Sequence, residues 1–415
     1  MQKKWWVVCV GFLIIILILR LVLFFGNTPT FKKGDAIAFS TRILKEPESV
    51  RRRQKITLFY LGSRFSILAP QYPQFQYGDF IYISGVVHEA KISRNSAVAT
   101  ISMMFPRIEK KSSQNDTSLA LGVMFSLVSH IRASVFSLFH EALPAPLSSL
   151  LLGIVFGIEE GMEQSFKQNL RATGVVHVVA ASGMNVSMVG GFLSLVTSLF
   201  FRRQIAIAAT LAGIIIYAFL SGLDPSIVRA SLMGGFAFTA QMLGRQMMGL
   251  YALVFSGYIM LLVAPVLLFD IGFQLSFAST LGIVCVMPLL GKLGPFGRLG
   301  IKETLSAQIA TMPILLSTFG AYSLISILAN ALLLWTIPHL MILGGVGALI
   351  GVFIKPLGIG LLWLALPFLF YFETVVTFLG SPAFVWHTPS FPWQVSVGYY
   401  LLLFAFLLTI RGKKP

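Results

Sequence analysis

From Val175 to Ile410 the chain is a close-spaced series of apolar runs, each near the length of a bilayer-crossing helix. Such runs leave few folds open. A helix of about 20 residues satisfies its own backbone hydrogen bonds, which hydrocarbon demands of any segment crossing it. The runs lie at 176–200, 204–222, 226–243, 249–269, 271–291, 304–320, 323–353, 357–380 and 396–411, and another opens the chain at 5–25. The expectation is an α-helical polytopic membrane protein with about ten transmembrane helices. Only 11% of the residues are charged, against roughly a quarter in soluble domains, so the apolar sequence exceeds what a soluble core uses. The 323–353 run is too long for one straight crossing, and Pro338, Gly344 and Gly345 are its candidate break points.

Lys3 and Lys4 precede the first run as in a signal peptide. The run is too long for a signal core and no small-residue cleavage site follows, so 1–26 reads as an uncleaved anchor. Residues 27–106 differ in character. Asp35–Leu44, Lys55–Leu68 and Asp79–Val87 are rich in β-branched and aromatic residues, punctuated by Gly62, Pro70, Pro73, Gly78 and Gly85. That pattern predicts a small all-β domain, an antiparallel sheet or barrel. Residues 107–118 are polar and read as a linker. Within 119–174, Leu119–Leu143 is amphipathic and expected in the membrane interface. Leu147–Gly157 is too short to span, so it is re-entrant or buried, and Glu159–Thr173 is a polar amphipathic helix. Residues 175–411 form the transmembrane domain proper.

The net charge of +16 divides into +3 over 1–26, +7 over 27–118 and +6 over 119–415. The middle excess suits a polyanion or anionic headgroups; it also fits the basic bias of bacterial membrane proteins, and both readings stand. Short basic loops mark the cytoplasmic side. Lys3–Lys4, Arg202–Arg203, Arg245, Lys292–Arg298–Lys302, Lys355 and Arg411–Lys414 then all face inward, with both termini. The β-rich domain and the loops holding Asp224, Asp270 and Trp386–Trp393 face outward.

Polar residues inside apolar runs are costly and therefore informative. Three clusters stand out. In the first, His177 precedes Ser182, Gly183 and Asn185; Ser-Gly allows close helix approach, and Asn185 either bonds across to another helix or lines a polar path. In the second, Asp224, Pro225 and Ser226 open a helix, and Arg229 follows one turn in, needing water or a partner from another helix. In the third, Asp270 and Gln274 share a face at i,i+4. Gln308, Asn330, His339 and Glu373 are isolated and expected in interhelical hydrogen bonds. Chemistry finds little footing: there is no phosphate-loop, metalloprotease or paired-carboxylate motif. Cys9 and Cys285 sit in apolar runs, with neither a zinc site nor a disulfide framework implied. No cofactor is expected. Ser182-Gly183 with His177 or His339 is the one hydrolase-like pairing, and nothing in the sequence places a histidine beside Ser182.

The segments TGVVHVVAASGMNVSMVGG (173–191), SGLDPSIVRASLM (221–233), FDIGFQLSFASTLGI (269–283) and AQIATMPILLSTFGAYSLISILANALL (307–333), in this order, resemble the competence domain of the ComEC family of bacterial DNA-uptake proteins. QYGDFIYISGVV (76–87) is similar to part of the oligonucleotide-binding (OB)-like barrel that precedes that domain. The resemblance implies a channel passing single-stranded DNA through the cytoplasmic membrane, with the barrel outside. It implies that His177, Ser182, Gly183, Asn185, Asp224, Ser226, Arg229, Asp270 and Gln274 shape the path or pack its helices, Arg229 either meeting phosphates or holding helices together. Arg51, Arg52, Arg53, Lys55, Phe59, Tyr60 and Arg64 would supply charge and stacking to a strand outside. Implied partners are single-stranded DNA, membrane lipids, a separate DNA receptor, a cytoplasmic helicase motor and a nuclease; assembly as a homo-oligomer is left open. Two departures follow. The family's first motif usually ends in histidine where Asn185 stands, which keeps a hydrogen-bonding role and removes an imidazole one. Many members add a C-terminal metallo-β-lactamase-type domain, which the given sequence does not include. A small-molecule or lipid transporter on the same scaffold, and an intramembrane serine hydrolase, are the alternatives.

Overall fold

The computed structural model describes residues 2–50, 53–92, 99–110, 119–159, 161–180, 182–245, 247–290, 301–323, 325–380, 385–387 and 392–411. It divides into two compact units, 1–129 with 254–273, and 130–253 with 274–415.

The first unit opens with helix α1 (Gln2–Gly26) and continues into strands β1 (Ala36–Arg42), β2 (Glu48–Val50), β3 (Arg53–Tyr60), β4 (Ser63–Pro70), β5 (Phe80–Val86), β6 (Glu89–Ile92), β7 (Ala99–Met104) and β8 (Arg107–Lys110). β1, β5 and β8 form one sheet; β2-β3-β4-β7-β6 form another. All pairs are antiparallel except β4–β7, which is parallel. Leu61 and Gly62, both at positive φ, turn β3 into β4, the two-residue hairpin geometry that glycine favours. Alternation puts Phe39, Ile56, Leu58, Phe65, Ile67, Ile81, Ile83, Ile101 and Met103 inside. Buried Gln54 ties down the next loop. Its Nε2 donates to the carbonyls of Pro70, Gln71 and Pro73, and its Oε1 accepts from Phe75 N. Residues 107–110, expected in a linker, instead form β8 on β5, because Ile108 gives this polar segment an apolar face to turn inward.

Helix α2 (Leu119–Ala142) follows. Its Phe125 touches Tyr77 and lies under the Arg42 guanidinium, within the first unit. Its residues 122–142, expected in the interface, are long and apolar enough to cross a membrane. The second unit is built around α3 (Ala145–Phe156), in which every residue from Leu147 to Phe156 is buried. At about 18 Å it is too short to span, and it is enclosed by protein instead. The same unit holds α4 (Gln164–Ala172), α5 (Val176–Val179), α6 (Gly183–Phe200), α7 (Arg203–Leu220), α8 (Pro225–Met242), α11 (Ile301–Phe319), α12 (Ser326–Leu333), α13 (Thr336–Phe353), α14 (Lys355–Trp363), α15 (Leu366–Leu379) and α16 (Trp393–Arg411), with α5, α13 and α15 packed on α3. α9 (Gly249–Val263) and α10 (Ile271–Cys285) divide between the two units, and β9 (Ala321–Ser323) pairs with β10 (Val385–His387).

Among the described residues five helices are long and apolar enough to cross a membrane, or six with the bent α14–α15 pair as one. The sequence led us to expect about ten. Three of the runs that contribute to this count are themselves interrupted. The 323–353 run breaks at Leu334–Trp335, before Pro338, whose ring excludes the carbonyl four residues back. Gly344 and Gly345 are not breaks; both lie inside α13. The 357–380 run bends by 44° where Pro367 stands in the first turn of α15. The 176–200 run is interrupted by extended backbone at Ala180 and Ser182.

Pro313 sits inside α11 and frees the carbonyl of Ile309. The Tyr399 hydroxyl on α16 donates to it at 2.9 Å, and Tyr400 donates to Ala310 O at 2.7 Å. The helix keeps its proline because a neighbour supplies the missing donor.

Candidate functional site

The first polar cluster lies where α5 ends and α6 begins. Ser182 occupies the N-cap position of α6 but makes no cap bond. Its hydroxyl donates to Asn185 Oδ1 at 2.9 Å, and Asn185 Nδ2 donates to Ile154 O at 2.8 Å. Tyr217 on α7 donates to Val155 O at 2.7 Å. The physical reason lies in α3. The last carbonyls of a helix have no partner within it. Gly157, at φ 73, turns its own N–H back to Gly153 O. Ile154, Val155 and Phe156 remain, in an apolar surround where an unmade hydrogen bond is costly, and Asn185 and Tyr217 take the first two. Asn185 is fully buried and bonds across to another helix, one of its two anticipated roles. His177 stays apart: its Nδ1 lies 3.1 Å from Gly174 O, and the Ser182 hydroxyl is directed at Asn185.

In the second cluster Asp224 holds the N-cap position of α8 with Pro225 next, as the sequence suggests. Its carbonyl accepts from Ile227 and Val228, while its carboxylate makes no cap bond. Ser226 is half-buried in the first turn. Arg229 is buried, and its Nη1 donates to Thr280 Oγ1 on α10 and lies 3.8 Å from Met233 Sδ. Its guanidinium stands 5.9 Å from the Phe277 ring centre. Gly183 abuts it: a Cβ there would lie 2.8 Å from Arg229 Nη2. Segments 182–185, 229–233 and 277–280, far apart in sequence, therefore meet around one guanidinium.

In the third cluster Asp270 caps α10 through Oδ1, which accepts from Phe273 N at 2.8 Å. Gln274 is half-buried on the same helix. Residue-by-residue reading missed Thr280, Tyr217 and Phe277. Thr280 lies inside a motif, and a tyrosine within an apolar run signals a hidden acceptor; Phe277 carries no such signal. Of the isolated polar residues, Gln308 is held by Ser326 and Tyr322 as expected. His339 instead bonds locally to Trp335 O, and Asn330 Oδ1 makes no hydrogen bond among the described residues.

On the β domain, Arg53, Lys55 and Phe59 point outward from β3 and Arg64 from β4. Phe59 is directly opposite Arg64, and Arg53 lies over the exposed Phe105 ring at 5.0 Å. Tyr60 does not belong with them. Its ring stacks on Phe39 at 4.3 Å and packs against the core, because strand alternation turns it inward, so it is not a stacking platform. Lys55 is paired with Glu48, Lys91 with Glu89 and Lys110 with Asp79. The hydrogen bond from Lys91 holds the Glu89 carboxyl below the usual carboxylate range. Arg53 and Arg64 form no ion pair among the described residues. Arg51 and Arg52 lie outside the described residues.

Residues 154–413 match the family described as Competence protein. Over 162 residues, 39% of this chain, the sequence is 33% identical to ComE operon protein 3 of Bacillus subtilis (strain 168). That alignment covers 21% of the relative's length. No solved structure matches. The family match spans more than half of the chain and takes in every motif position from His177 to Gln274, and the chain belongs to the competence-protein family.

Proposed function

We propose that this chain is the membrane passage for single-stranded DNA in competence, lying multi-pass in the bacterial cytoplasmic membrane. On this reading both termini are cytoplasmic and the β domain stands outside. The observation that carries it is the family match across 154–413, the region whose polar segments converge on Arg229. The passage does no hydrolysis itself. A separate receptor would deliver the DNA, a cytoplasmic helicase would pull the strand, and a nuclease would remove its complement. Deleting the gene should abolish transformation while DNA still binds at the cell surface. Transformation at the parental frequency would refute the reading.

The parallel β4–β7 pair, flanked by antiparallel neighbours, supports an OB-like barrel. Its outward Arg53, Phe59 and Arg64 then meet the incoming strand through phosphate contact and base stacking. Arg53→Glu combined with Arg64→Glu in the full chain should weaken binding of a short single-stranded oligonucleotide about tenfold at low salt. The log affinity–log salt slope should fall by roughly 1.4, about 0.7 for each phosphate no longer neutralised. An unchanged slope would exclude this face.

A further inference from the structure

Arg229 is only 6% exposed. A guanidinium is always charged, with five N–H donors, and burying that charge without a partner is among the costliest arrangements a fold can hold. Arg229 forms no ion pair among the described residues. Nη1 is engaged by Thr280 and Met233, but among the described residues neither Nε nor Nη2 makes a hydrogen bond. The fork edge of the guanidinium is therefore unused.

The same spot holds a second positive end. α6 is 18 residues long, so its dipole places partial positive charge and unpaired N–H groups at Gly183–Asn185. Ser182 leaves those groups uncapped, its hydroxyl being given to Asn185. A guanidinium beside a helix N-terminus is repelled unless an anion stands between them. Gly183 lies against Nη2 and has no side chain to crowd it; a methyl group there would lie 2.8 Å from the nitrogen.

We propose that Arg229 and the first turn of α6 form a binding site for one phosphate-type oxyanion. Two parallel N–H donors of the fork match two oxygens of a tetrahedral anion, and the helix N–H groups match a third. The site stands on these groups alone. Its occupant, a phosphodiester of the passing strand, rests on the functional reading above.

The test uses the full chain in phosphatidylcholine nanodiscs, its thermal midpoint followed as inorganic phosphate is titrated at constant ionic strength with chloride. Phosphate should raise the midpoint of the parent protein. Gly183→Ala, which keeps the charge but crowds the fork, should weaken apparent phosphate affinity about tenfold, the loss of roughly one charge-assisted bond. Arg229→Gln should abolish the shift. No shift in the parent, or equal shifts in all three, overturns the site. A single-stranded oligonucleotide should compete with phosphate. A shift produced by added phosphatidylglycerol, with none from the oligonucleotide, overturns the DNA assignment. Phosphate binding that persists in a protein whose deletion leaves transformation intact counts against the functional reading and supports the site.

Discussion

Gly358→Leu should leave little folded protein, whereas Gly360→Leu on the same helix should be tolerated. α13 and α14 meet through glycines. A Cβ at Gly358 would overlap the Cα of Gly351 and lie 2.8 Å from both Gly351 N and Gly347 O. Those are backbone atoms and cannot rotate away as a side chain would. The two helices must separate, and they lie against the core of the second unit, where Gly347, Gly351, Gly358 and Leu362 are buried. Overpacking a close contact costs about 1–3 kcal/mol even where side chains give way, so a leucine wedged between two backbones should exceed that range. Gly360 has nothing within 4 Å of its would-be Cβ. Monodisperse yield and thermal midpoint in detergent compare the pair. Equal behaviour would show that α13 and α14 do not pack as described.

Asn185→Leu is the second large effect. Leucine keeps the branched four-atom shape of the asparagine side chain, although its methyl groups are bulkier, and removes both ends of the bridge. Ile154 O loses its donor and the Ser182 hydroxyl its acceptor, at a residue with no exposed surface. A stranded buried group costs about 1–3 kcal/mol, so two of them set a range of roughly 2–6 kcal/mol, with the part-buried Ser182 hydroxyl holding the loss toward its lower end. Asn185→His should recover part of it, since an imidazole N–H can still reach a carbonyl. Thermal unfolding separates the outcomes. A leucine variant as stable as the parent would mean that the carbonyl end of α3 needs no cap.

Much of the fold was legible because its cause is local. The β segments, the N-terminal helix, the buried 147–157 helix and the helix start at Asp224–Pro225 follow from periodicity and from residues a few positions apart. The break in 323–353 was foreseen but misplaced. Pro338 acts on the carbonyl four residues earlier, so the helix ends at Leu333, ahead of the proline. Tyr60 was misread for a similar reason: an aromatic near a basic cluster suggests stacking, but alternation alone decides which face it takes.

The candidate site was legible only as an inventory. Sequence alone determined that Ser182, Asn185 and Arg229 are expensive where they stand, because apolar runs surround them. Which groups repay that cost was decided by tertiary structure. Asn185 answers a helix end 31 residues away, and Arg229 answers a threonine 51 residues away. Hydrogen bonds and charge act across a few ångströms of space, and only the packing of α3, α6, α8 and α10 sets which residues share those ångströms.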